Sequence, residues 1–582
     1  MRGIRYVIFW TTMAVLAGQY AVAGAGPQNQ GVPEDNGPGK PGIEQAGDIE
    51  HVANVPAPSA QRGSDIEFVT KTVVKLADGA TGDPVCVADG TEPDGCAKDE
   101  AGQIVYQMED RDFALLGTYG SGQIVDVTDP RSPVRVAFMP CTGSQNDIQI
   151  QGDLMFQGMD NASSTCKKAD GTSQGQVTVG ISNISNPRNP VFVGKITSSR
   201  GAHNNTVHPT APLVYLSDSD LPSVTGVIPI WDFSNPAAPV KVTDFTYLTQ
   251  SPHDITFNAD GTRAYVASVA YTYILNTEDP RSPTLISTIY NEGISISHQS
   301  DPTPDGDYLL ISDELGGGAA GLSPGGPVHV YDIRDETTPV KMGVIWDDCV
   351  GVSASCEGGP EAPISTAHVF RINPDGYSMA IGWYRDGVHV IDYSSIRGAN
   401  PAGIGGVANI FPRTIGRMRM PGANTWAAKM WQERHPGYVF ANDVRGLDVF
   451  YVSSMGPGFL GFGTITGAHG ANYDSGVGVT RNEWETDCEL SPVTNGVDGW
   501  VMPVPEGLGD GTHILTAQGQ GQGFDLDLYF YDESCSLLSA DEDGGTDESG
   551  DMPEGTKYAM VTNYLGPTQP VENPVHIRVT AS

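Results

Sequence analysis

The chain alternates short apolar, β-branched runs with turns rich in Asp, Asn, Gly and Pro, and this pattern recurs over most of its length. A β-rich run such as Val328–Tyr331 precedes each turn, and an alternating run such as Val134–Phe138 follows it. A period of two predicts half-buried strands, and the closely spaced turns leave no room for helices. The pattern therefore predicts an all-β protein.

One turn phrase recurs with the form Asp/Asn-x-Ser/Thr-Asp/Asn-Pro-x-x-Pro. Proline fixes the backbone φ angle, and an Asp or Asn side chain accepts a hydrogen bond from the backbone ahead of it, so the phrase predicts a rigid turn. Copies start at Asp126, Asn183, Asp232 and Asn276, the last with Glu278 in place of Ser/Thr. A looser copy starts at Asp332, and degenerate copies start at Asp392 and Asp448.

A second phrase falls between these copies. His253 opens a strand that leads to an Asp260-Gly261 turn, and His368 opens one that leads to Asp375-Gly376. Asp-Gly between alternating strands is a strong hairpin indicator. Seven units of about four strands each predict a seven-bladed β-propeller over residues 63–465. The equivalent unit starts are Ser64, Asn146, His203, His253, His298, His368 and Asn424.

The Val/Ile-x-Asp-x-Ser/Thr-Asp/Asn-Pro-x-x-Pro-Val phrase resembles the LVIVD repeat, a bacterial and archaeal extracellular propeller repeat. The resemblance covers residues 64–455 and is clear in five units. It implies a propeller fold and a secreted or cell-surface setting, but no single activity.

A different pattern begins at residue 490, after a Gly-rich segment predicted as a linker over 466–489. The alternating run Phe524–Tyr531 and the later run Lys557–Val561 predict further strands. Asp525-Leu-Asp527-Leu-Tyr529 and Glu554-Gly-Thr-Lys-Tyr558 resemble the bacterial pre-peptidase C-terminal domain. The resemblance implies a small jelly-roll-like β-sandwich over residues 490–582.

Carboxylates of this C-terminal segment are candidate calcium ligands, because a hard cation prefers clustered oxygen ligands. A solvated acidic face is the alternative interpretation. The candidates are Asp525, Asp527, Asp532, Asp541 and Asp543.

The N-terminal residues have the form of a secretory signal. Arg2 and Arg5 precede an apolar stretch over residues 6–16, and Ala21-Val22-Ala23 provides a small-residue cleavage site. Residues 1–23 are therefore predicted to be a signal peptide of bacterial type, and the Gly- and Pro-rich residues 24–62 a flexible leader. No later stretch reaches the roughly 18 apolar residues of a membrane span. We expect a secreted or cell-surface protein.

Eight cysteines, an even number, fit an oxidising compartment. Their spacing suggests local disulfides, although eight cysteines allow about 105 connectivities. The suggested pairs are Cys86/Cys96, Cys141/Cys166, Cys349/Cys356 and Cys488/Cys535.

Charge narrows the range of partners. The chain has 70 acidic and 32 basic side chains, a net charge of −38 and a pI near 4.4. Nucleic acids and anionic membranes are polyanions, so both are excluded as partners. Cations are favoured as partners, and an extracellular protein or polysaccharide is also a possible partner.

The 72 glycines and 42 prolines also exclude a coiled coil.

Histidine occupies the same repeat position in four adjacent units, at the start of the strand expected to face the central channel. Converging imidazoles suit zinc, copper or iron, so His203, His253, His298 and His368 are candidate metal ligands. The alternative is a structural role in which each histidine bonds a neighbouring blade. Candidates for orienting the imidazoles or contacting a substrate are Asp218, Asp220, Asp313, Glu314, Arg385, Asp386 and Asp443, together with Asn442.

Three functional hypotheses follow. The first is an exported propeller that acts as a binding or surface-interaction protein, with a metal at the propeller mouth. The second is a metal-dependent extracellular enzyme, a hydrolase or an oxidoreductase, that works at the four-histidine site. The third is a structural component of the envelope.

Overall fold

The structure is a computed structural model. It describes residues 44–58, 62–89, 95–160, 164–199, 201–217, 226–290, 293–314, 326–346, 366–397, 412–465, 499–505, 507–520, 524–542, 544–563 and 575–582. Within these ranges the chain forms nine antiparallel sheets and no α-helix, apart from the 3-10 turns Ser394–Ile396 and Ser453–Met455. The all-β prediction is confirmed.

The first two described strands join sheets that form much later in the chain. They are β1 (Glu44–Gly47) and β2 (Glu50–Pro56).

Seven sheets then follow in chain order, and we number them sheet 1 to sheet 7. Sheet 1 contains β3 (Gly63–Val74), β4 (Met108–Thr118), β5 (Ser121–Asp126), β6 (Val134–Thr142) and the short β9 (Thr165–Cys166). Sheet 2 contains β7 (Asp147–Gln151), β8 (Leu154–Gly158), β10 (Val179–Asn183) and β11 (Val191–Ile196). Sheet 3 contains β12 (Asn205–Val207), β13 (Leu213–Leu216), β14 (Gly226–Asp232) and β15 (Val240–Leu248).

The next four sheets repeat this order. Sheet 4 contains β16 (Asp254–Phe257), β17 (Arg263–Ser268), β18 (Tyr271–Asn276) and β19 (Thr284–Tyr290). Sheet 5 contains β20 (Ser297–Pro302), β21 (Tyr308–Asp313), β22 (Val328–Asp332) and β23 (Val340–Ile345). Sheet 6 contains β24 (Phe370–Ile372), β25 (Ser378–Gly382), β26 (Val388–Asp392) and β27 (Arg413–Arg419). Sheet 7 contains β28 (Ala427–Met430), β29 (Tyr438–Asp443) and β30 (Gly446–Tyr451).

The repeated turn phrase forms the predicted turns. Asp129 Oδ1 accepts a hydrogen bond from Arg131 N at 3.0 Å, and Asn186 Oδ1 accepts one from Arg188 N at 3.1 Å. The Asp-Gly turns also form, and Gly261 has a φ of +76°, a value that favours glycine.

The predicted flexible leader, residues 24–62, is wrong for residues 44–56. β1 pairs with β27 and completes sheet 6, while β2 pairs with β30 and completes sheet 7. Ile49 and Val55 are buried in this pairing. The polar composition of residues 44–56 does not predict strands. These strands are stabilised by backbone pairing with strands far along the chain and not by a local apolar run.

Neighbouring first strands contact each other from sheet 1 to sheet 5, and from sheet 6 through sheet 7 back to sheet 1. Sheets 5 and 6 are joined by Gln299, whose side chain donates to Phe370 O and accepts from Phe370 N, each at 3.0 Å. The first strands therefore surround a common centre, as in a β-propeller, and their starting residues share one mouth. Apolar side chains pack between neighbouring sheets, for example Ile228, Val266 and Tyr273 between sheets 3 and 4.

Two further sheets lie at the C-terminus. One contains β31 (Phe459–Ile465), β33 (Ile514–Gln520), β36 (Asp547–Asp551) and β38 (Val575–Ala581), and the other contains β32 (Gly499–Pro503), β34 (Leu526–Tyr531), β35 (Leu537–Asp541) and β37 (Tyr558–Asn563). They share one core of buried apolar residues that includes Trp500, Leu528 and Ile577.

The predicted boundary of the repeat region, residue 465, is too late. β31 pairs with β38 and therefore belongs to a C-terminal sheet. The high glycine content around β31 does not predict a strand, although Phe462 and Ile465 are buried in it. The predicted linker over 466–489 lies outside the described residues, as do residues 490–498 at the start of the predicted sandwich.

Two of the suggested disulfides are confirmed, Cys86–Cys96 and Cys141–Cys166. Cys535 is also disulfide-bonded, while Cys349, Cys356 and Cys488 lie outside the described residues. Disulfides persist in oxidising compartments, so these bonds are compatible with an extracellular protein.

In the described part of the chain, no helix has the length and apolarity needed to cross a membrane. The predicted signal peptide lies outside that part.

Candidate metal centre

Seven side chains, one from each repeat sheet, form a closed circuit at the mouth, and we call this circuit the mouth ring. Histidine ring centroids lie 4.3 Å apart between His203 and His253, 4.5 Å between His253 and His298, and 4.0 Å between His298 and His368. The four histidines are therefore brought together as predicted. The mouth ring consists of Tyr119, Gln145, His203, His253, His298, His368 and Trp426.

The other three members complete the circuit. The Trp426 ring lies 4.9 Å from that of His368 and 5.3 Å from that of Tyr119. The Tyr119 hydroxyl donates to Gln145 Oε1 at 2.8 Å, and Gln145 Nε2 lies 3.1 Å from His203 Nε2. The mouth ring is therefore continuous.

Glu314 joins two of the histidines from just beyond the end of β21. Its Oε2 lies 3.9 Å from His298 Nε2, and its Oε1 lies 3.7 Å from His368 Nε2. Three potential metal ligands among the described residues have donor atoms within 4.8 Å of one another. They are His253, His298 and Glu314. We call these three residues the ligand cluster.

The histidines next to Glu314 are in a form that can bind a metal. His368 Nδ1 lies 2.7 Å from Trp426 O, so it donates its proton there and leaves Nε2 as an acceptor. Within the described part of the chain, the buried Nδ1 atoms of His253 and His298 have no hydrogen-bond partner. An unpartnered buried nitrogen is costly unless a ligand satisfies it.

Burial sets the charge state of the three imidazoles. It lowers the pKa of His253 and His298 well below the usual value, and neighbouring imidazoles lower both further. Burial likewise lowers the pKa of His368 to about 3. All three side chains are therefore neutral at physiological pH, which is the form that coordinates metals.

A tyrosine from sheet 6 positions Glu314. The Tyr384 hydroxyl donates a hydrogen bond to Glu314 Oε1, and its ring lies 5.0 Å from that of His368. Tyr384 has a φ of +46°, a strained conformation for a bulky residue. Burial raises the pKa of Glu314 to about 7, although the Tyr384 hydrogen bond partly opposes the rise.

His203 lies in the mouth ring but not in the ligand cluster. Its Nδ1 is 2.9 Å from Asp160 Oδ1, and its Nε2 contacts Gln145, so both nitrogens are engaged. Burial lowers the pKa of His203, but the Asp160 carboxylate outweighs this effect and raises it overall. This geometry matches the structural alternative.

The other residues predicted to surround the histidines have different contacts. Asp313 Oδ1 accepts from the backbone N–H groups of Ser295 and Ile296, both at 2.9 Å. Asp443 fixes the corresponding backbone of sheet 7 by accepting from Asn424 N at 3.2 Å. These carboxylates hold the loops that carry the ring, so they do not orient imidazoles as predicted.

The remaining predicted neighbours lie elsewhere. Asp386 Oδ2 lies 2.8 Å from Nε2 of His389, which is not a ring member, and Arg385 is exposed. Asn442 donates to the backbone carbonyls of Asp65 and Gly117. Asp218 and Asp220 lie outside the described residues.

Several residues of the site are not among those that the sequence predicted. Asp160 follows the second strand of sheet 2, as Asp313 ends the second strand of sheet 5, so the repeat alignment could have found it. Tyr384 immediately precedes the predicted Arg385. Gln145 and Trp426 break the histidine pattern, and nothing in the repeat alignment marks them.

A cavity of about 320 Å³ lies along the first strands and is lined in part by His298, His368 and Trp426. One wall carries paired charges: Lys429 Nζ lies 2.9 Å from Asp65 and 2.7 Å from Glu67. Arg371 also bonds Glu67. Burial raises the pKa of Glu67, but Arg371 and Lys429 outweigh it and lower the pKa to about 2.

The five predicted calcium ligands cannot share one ion. Asp525 and Asp532 lie just beyond opposite ends of β34, roughly 23 Å apart at about 3.3 Å per residue. Asp532 instead caps a turn by accepting from Ser534 N at 2.8 Å. Asp527 is buried and Asp541 ends β35, while Asp543 lies outside the described residues. Calcium binding at Asp525 and Asp527 stays a prediction.

No protein-family model matches the chain, and no curated protein matches it either. The resemblances to the LVIVD repeat and to the pre-peptidase C-terminal domain therefore stay predictions.

Solved structures of low sequence identity are similar to the chain. The β-propeller domain of Cps50 (Swd1) from Myceliophteria thermophila is 9% identical, with 59% of this chain and 93% of that chain covered and a TM-score of 0.40. A protein from Lactobacillus plantarum is 12% identical, with 56% and 84% covered and a TM-score of 0.40. A functionally unknown protein from Desulfotomaculum acetoxidans is 15% identical, with 48% and 78% covered and a TM-score of 0.35.

Proposed function

We propose that the chain is an exported binding protein, a seven-bladed β-propeller followed by a β-sandwich, that holds one transition metal ion at the propeller mouth. His253, His298 and Glu314 are the ligands in this proposal, and His368 Nε2 supplies a fourth. His203 has a positioning role, because Asp160 and Gln145 occupy its nitrogens. The circle of first strands and the seven-membered mouth ring support seven blades.

The ligand cluster carries this proposal. Its donor atoms lie within 4.8 Å of one another in a buried setting, and the buried Nδ1 of His253 has no hydrogen-bond partner among the described residues. Buried polar groups without partners are rare in proteins, so a bound ion is the natural partner.

The chemistry of the ligand cluster favours a transition metal over calcium or magnesium. Imidazole nitrogens suit zinc, copper and iron, whereas calcium and magnesium prefer all-oxygen sites. Two histidines and one carboxylate also match the ligand sets of zinc sites and of non-haem iron sites. Zinc, copper and iron are the three ions to test.

Elemental analysis of the purified mature protein tests the proposal. We expect about one transition metal ion per chain in the parent protein and none in a His253→Gln/His298→Gln variant. His513→Ala is the matched control, because His513 lies in the C-terminal segment on the partly exposed side of a turn.

Equal metal content in the parent and in the double variant would contradict the proposed site. Thermal unfolding of each preparation shows whether the variants are folded, so a loss of metal by unfolding is distinguished from a loss of ligands. Glu314→Gln changes only one ligand charge and provides a milder second variant.

A metal-dependent extracellular enzyme is the second candidate. It is favoured because His298 and His368 line the cavity as well as facing Glu314, so a bound ion would adjoin space for a substrate. Hydrolytic or oxidative turnover by the metal-loaded parent, absent in Glu314→Gln, would favour this candidate. No turnover across ester, phosphoester and phenol substrates would favour the binding role.

A further inference from the structure

The cavity has two walls of different charge. On one wall Lys429 and Arg371 are paired with Asp65 and Glu67, so two cations neutralise two carboxylates. On the opposite wall the cavity is lined by Asp147, Asp254 and Asp301.

Among the described residues, the hydrogen-bond donors to the three carboxylates of the second wall are neutral. Asp147 Oδ2 accepts from Asn205 N at 2.7 Å, and Asp301 accepts from Thr256 Oγ1 at 2.7 Å and from Gln299 Nε2 at 2.8 Å. Asp254 Oδ1 accepts from Ile255 N at 2.7 Å. Among the described residues, no basic side chain lies within 4.0 Å of any of the three. Burial raises the pKa of Asp147 and Asp301, although Lys429 partly opposes the rise, and it raises the pKa of Asp254 to about 7. A cationic ligand beside these groups would therefore stabilise their charged form.

A second observation indicates that the cavity receives a ligand. His298 lines it and is only 3% exposed, and its Nδ1 has no hydrogen-bond partner within the described part of the chain. Its Nε2 faces Glu314, so Nδ1 lies on the far side of the imidazole from Glu314. Trp426 adds an aromatic face to the same cavity, and aromatic faces attract organic cations.

The arrangement of the carboxylates selects the class of cation. Asp147, Asp254 and Asp301 come from sheets 2, 4 and 5, and they do not form a cluster as compact as the ligand cluster. A single metal ion needs donor atoms that converge as closely as those of the ligand cluster, whereas a flexible ligand with more than one ammonium group can bridge carboxylates that lie further apart. The cavity volume of about 320 Å³ is within the usual range for small-molecule sites.

We propose that the cavity binds a small aliphatic amine whose ammonium groups contact Asp147, Asp254 and Asp301. This inference goes beyond the proposed function and does not require the metal ion. The bound amine supplies the positive charge that the protein itself provides only on the opposite wall.

Isothermal titration calorimetry with 1,4-diaminobutane tests the inference, and 1,4-butanediol serves as the uncharged probe of the same shape. We expect saturable binding of the diamine at about one site and at least tenfold weaker binding of the diol. Charge-assisted hydrogen bonds are about twice as strong as neutral ones, so loss of the charge weakens binding strongly.

Two variants test whether the diamine binds at the carboxylates of the cavity. Asp147→Asn keeps an oxygen for the hydrogen bonds from Asn205, because only Oδ2 accepts them, and Asp301→Asn is the second variant. Asp244→Asn is the matched control, since Asp244 is an exposed carboxylate on β15. We expect each cavity variant to bind the diamine at least tenfold more weakly and the control to bind it unchanged.

The control also addresses the net charge of −38, which attracts any cation to the surface. If the diol binds as well as the diamine, or if the cavity variants bind like Asp244→Asn, the inference is wrong. Magnesium binding that Asp147→Asn removes, without diamine binding, would also overturn it. Metal content measured in the same preparations reports separately on the ligand cluster, so either claim can fail alone.

Discussion

At the residue scale, the hydrogen bond from Tyr384 fixes the carboxylate of Glu314 between two imidazoles. Outer partners of this kind typically change metal affinity by about 10- to 100-fold. Tyr384→Phe should therefore weaken metal binding by about tenfold without changing the one-to-one stoichiometry, as measured by competition with a chelator.

Tyr393→Phe is the control for this prediction, because Tyr393 is also buried in the sheet 6 region but donates to Gly376 O at 3.1 Å. Unchanged affinity in Tyr384→Phe would show that Glu314 does not depend on this hydrogen bond or is not a ligand.

Asp112 gives a pH-dependent prediction. Burial raises the pKa of Asp112, but the nearby His435, whose Nε2 lies 3.2 Å away, and hydrogen bonds from Thr70 and Arg434 outweigh it and lower the pKa to about 2. Such a depressed pKa stabilises the fold above the unfolded-state value of about 3.9 and loses this contribution as the pH falls toward 2. Asp112→Asn should therefore lower the free energy of unfolding by about 2 kcal/mol at pH 7 and by progressively less below pH 4.

Denaturant unfolding of both proteins across this pH range checks the prediction, with Asp153→Asn as an exposed control. A destabilisation in Asp112→Asn that stays constant down to pH 3 would contradict the assigned cause.

The sequence predicts the four histidines of the site because the repeat copies one position. It predicts only part of their surroundings, because Glu314 and Asp313 are adjacent in the chain and yet one faces the imidazoles while the other holds backbone. Such differences of one residue depend on where each strand ends and cannot be obtained from the repeat alone.

At the element scale, β1 and β2 complete sheets 6 and 7 from the other end of the chain. His51 on β2 lies 2.7 Å from Asp448 on β30, 397 residues away. Pairing over such a distance leaves no local pattern, which explains why these strands were predicted as a leader, whereas the hairpins with Asp-Gly turns were predicted correctly.

Removal of β1 and β2 should destabilise the repeat region. A protein starting at residue 62 leaves β27 and β30 as open edges, and open edge strands promote aggregation. Compared with a protein starting at residue 43, we expect a lower Tm and a larger species in light scattering. Equal Tm values and two monomers would show that these strands contribute little.

At the scale of the whole molecule, the C-terminal sheets contact the repeat region through β31 and its neighbours. Ser394 Oγ lies 2.8 Å from Thr464 Oγ1, and Arg578 donates to Ser454 O at 2.6 Å. The sequence predicted that this region starts at residue 490, after β31, because glycine frequency does not reveal which sheet a strand joins.

The corrected boundary predicts the extent of the folding unit. Residues 456–582 contain β31 and should show cooperative thermal unfolding when expressed alone. Residues 490–582 lack β31, so β38 loses a partner strand and the core loses Ile465. We expect this shorter fragment to be less stable, as measured by circular dichroism. Equal stability of the two fragments would restore the boundary at residue 490.

Anomalous X-ray diffraction from crystals of the metal-loaded protein shows directly whether a metal ion is bound at the mouth ring. We expect one peak at the metal absorption edge, about 2.0–2.2 Å from nitrogen atoms of His253 and His298 and from an oxygen of Glu314. A peak at another position, or no peak in protein that retains its metal in solution, would contradict a metal centre at the propeller mouth.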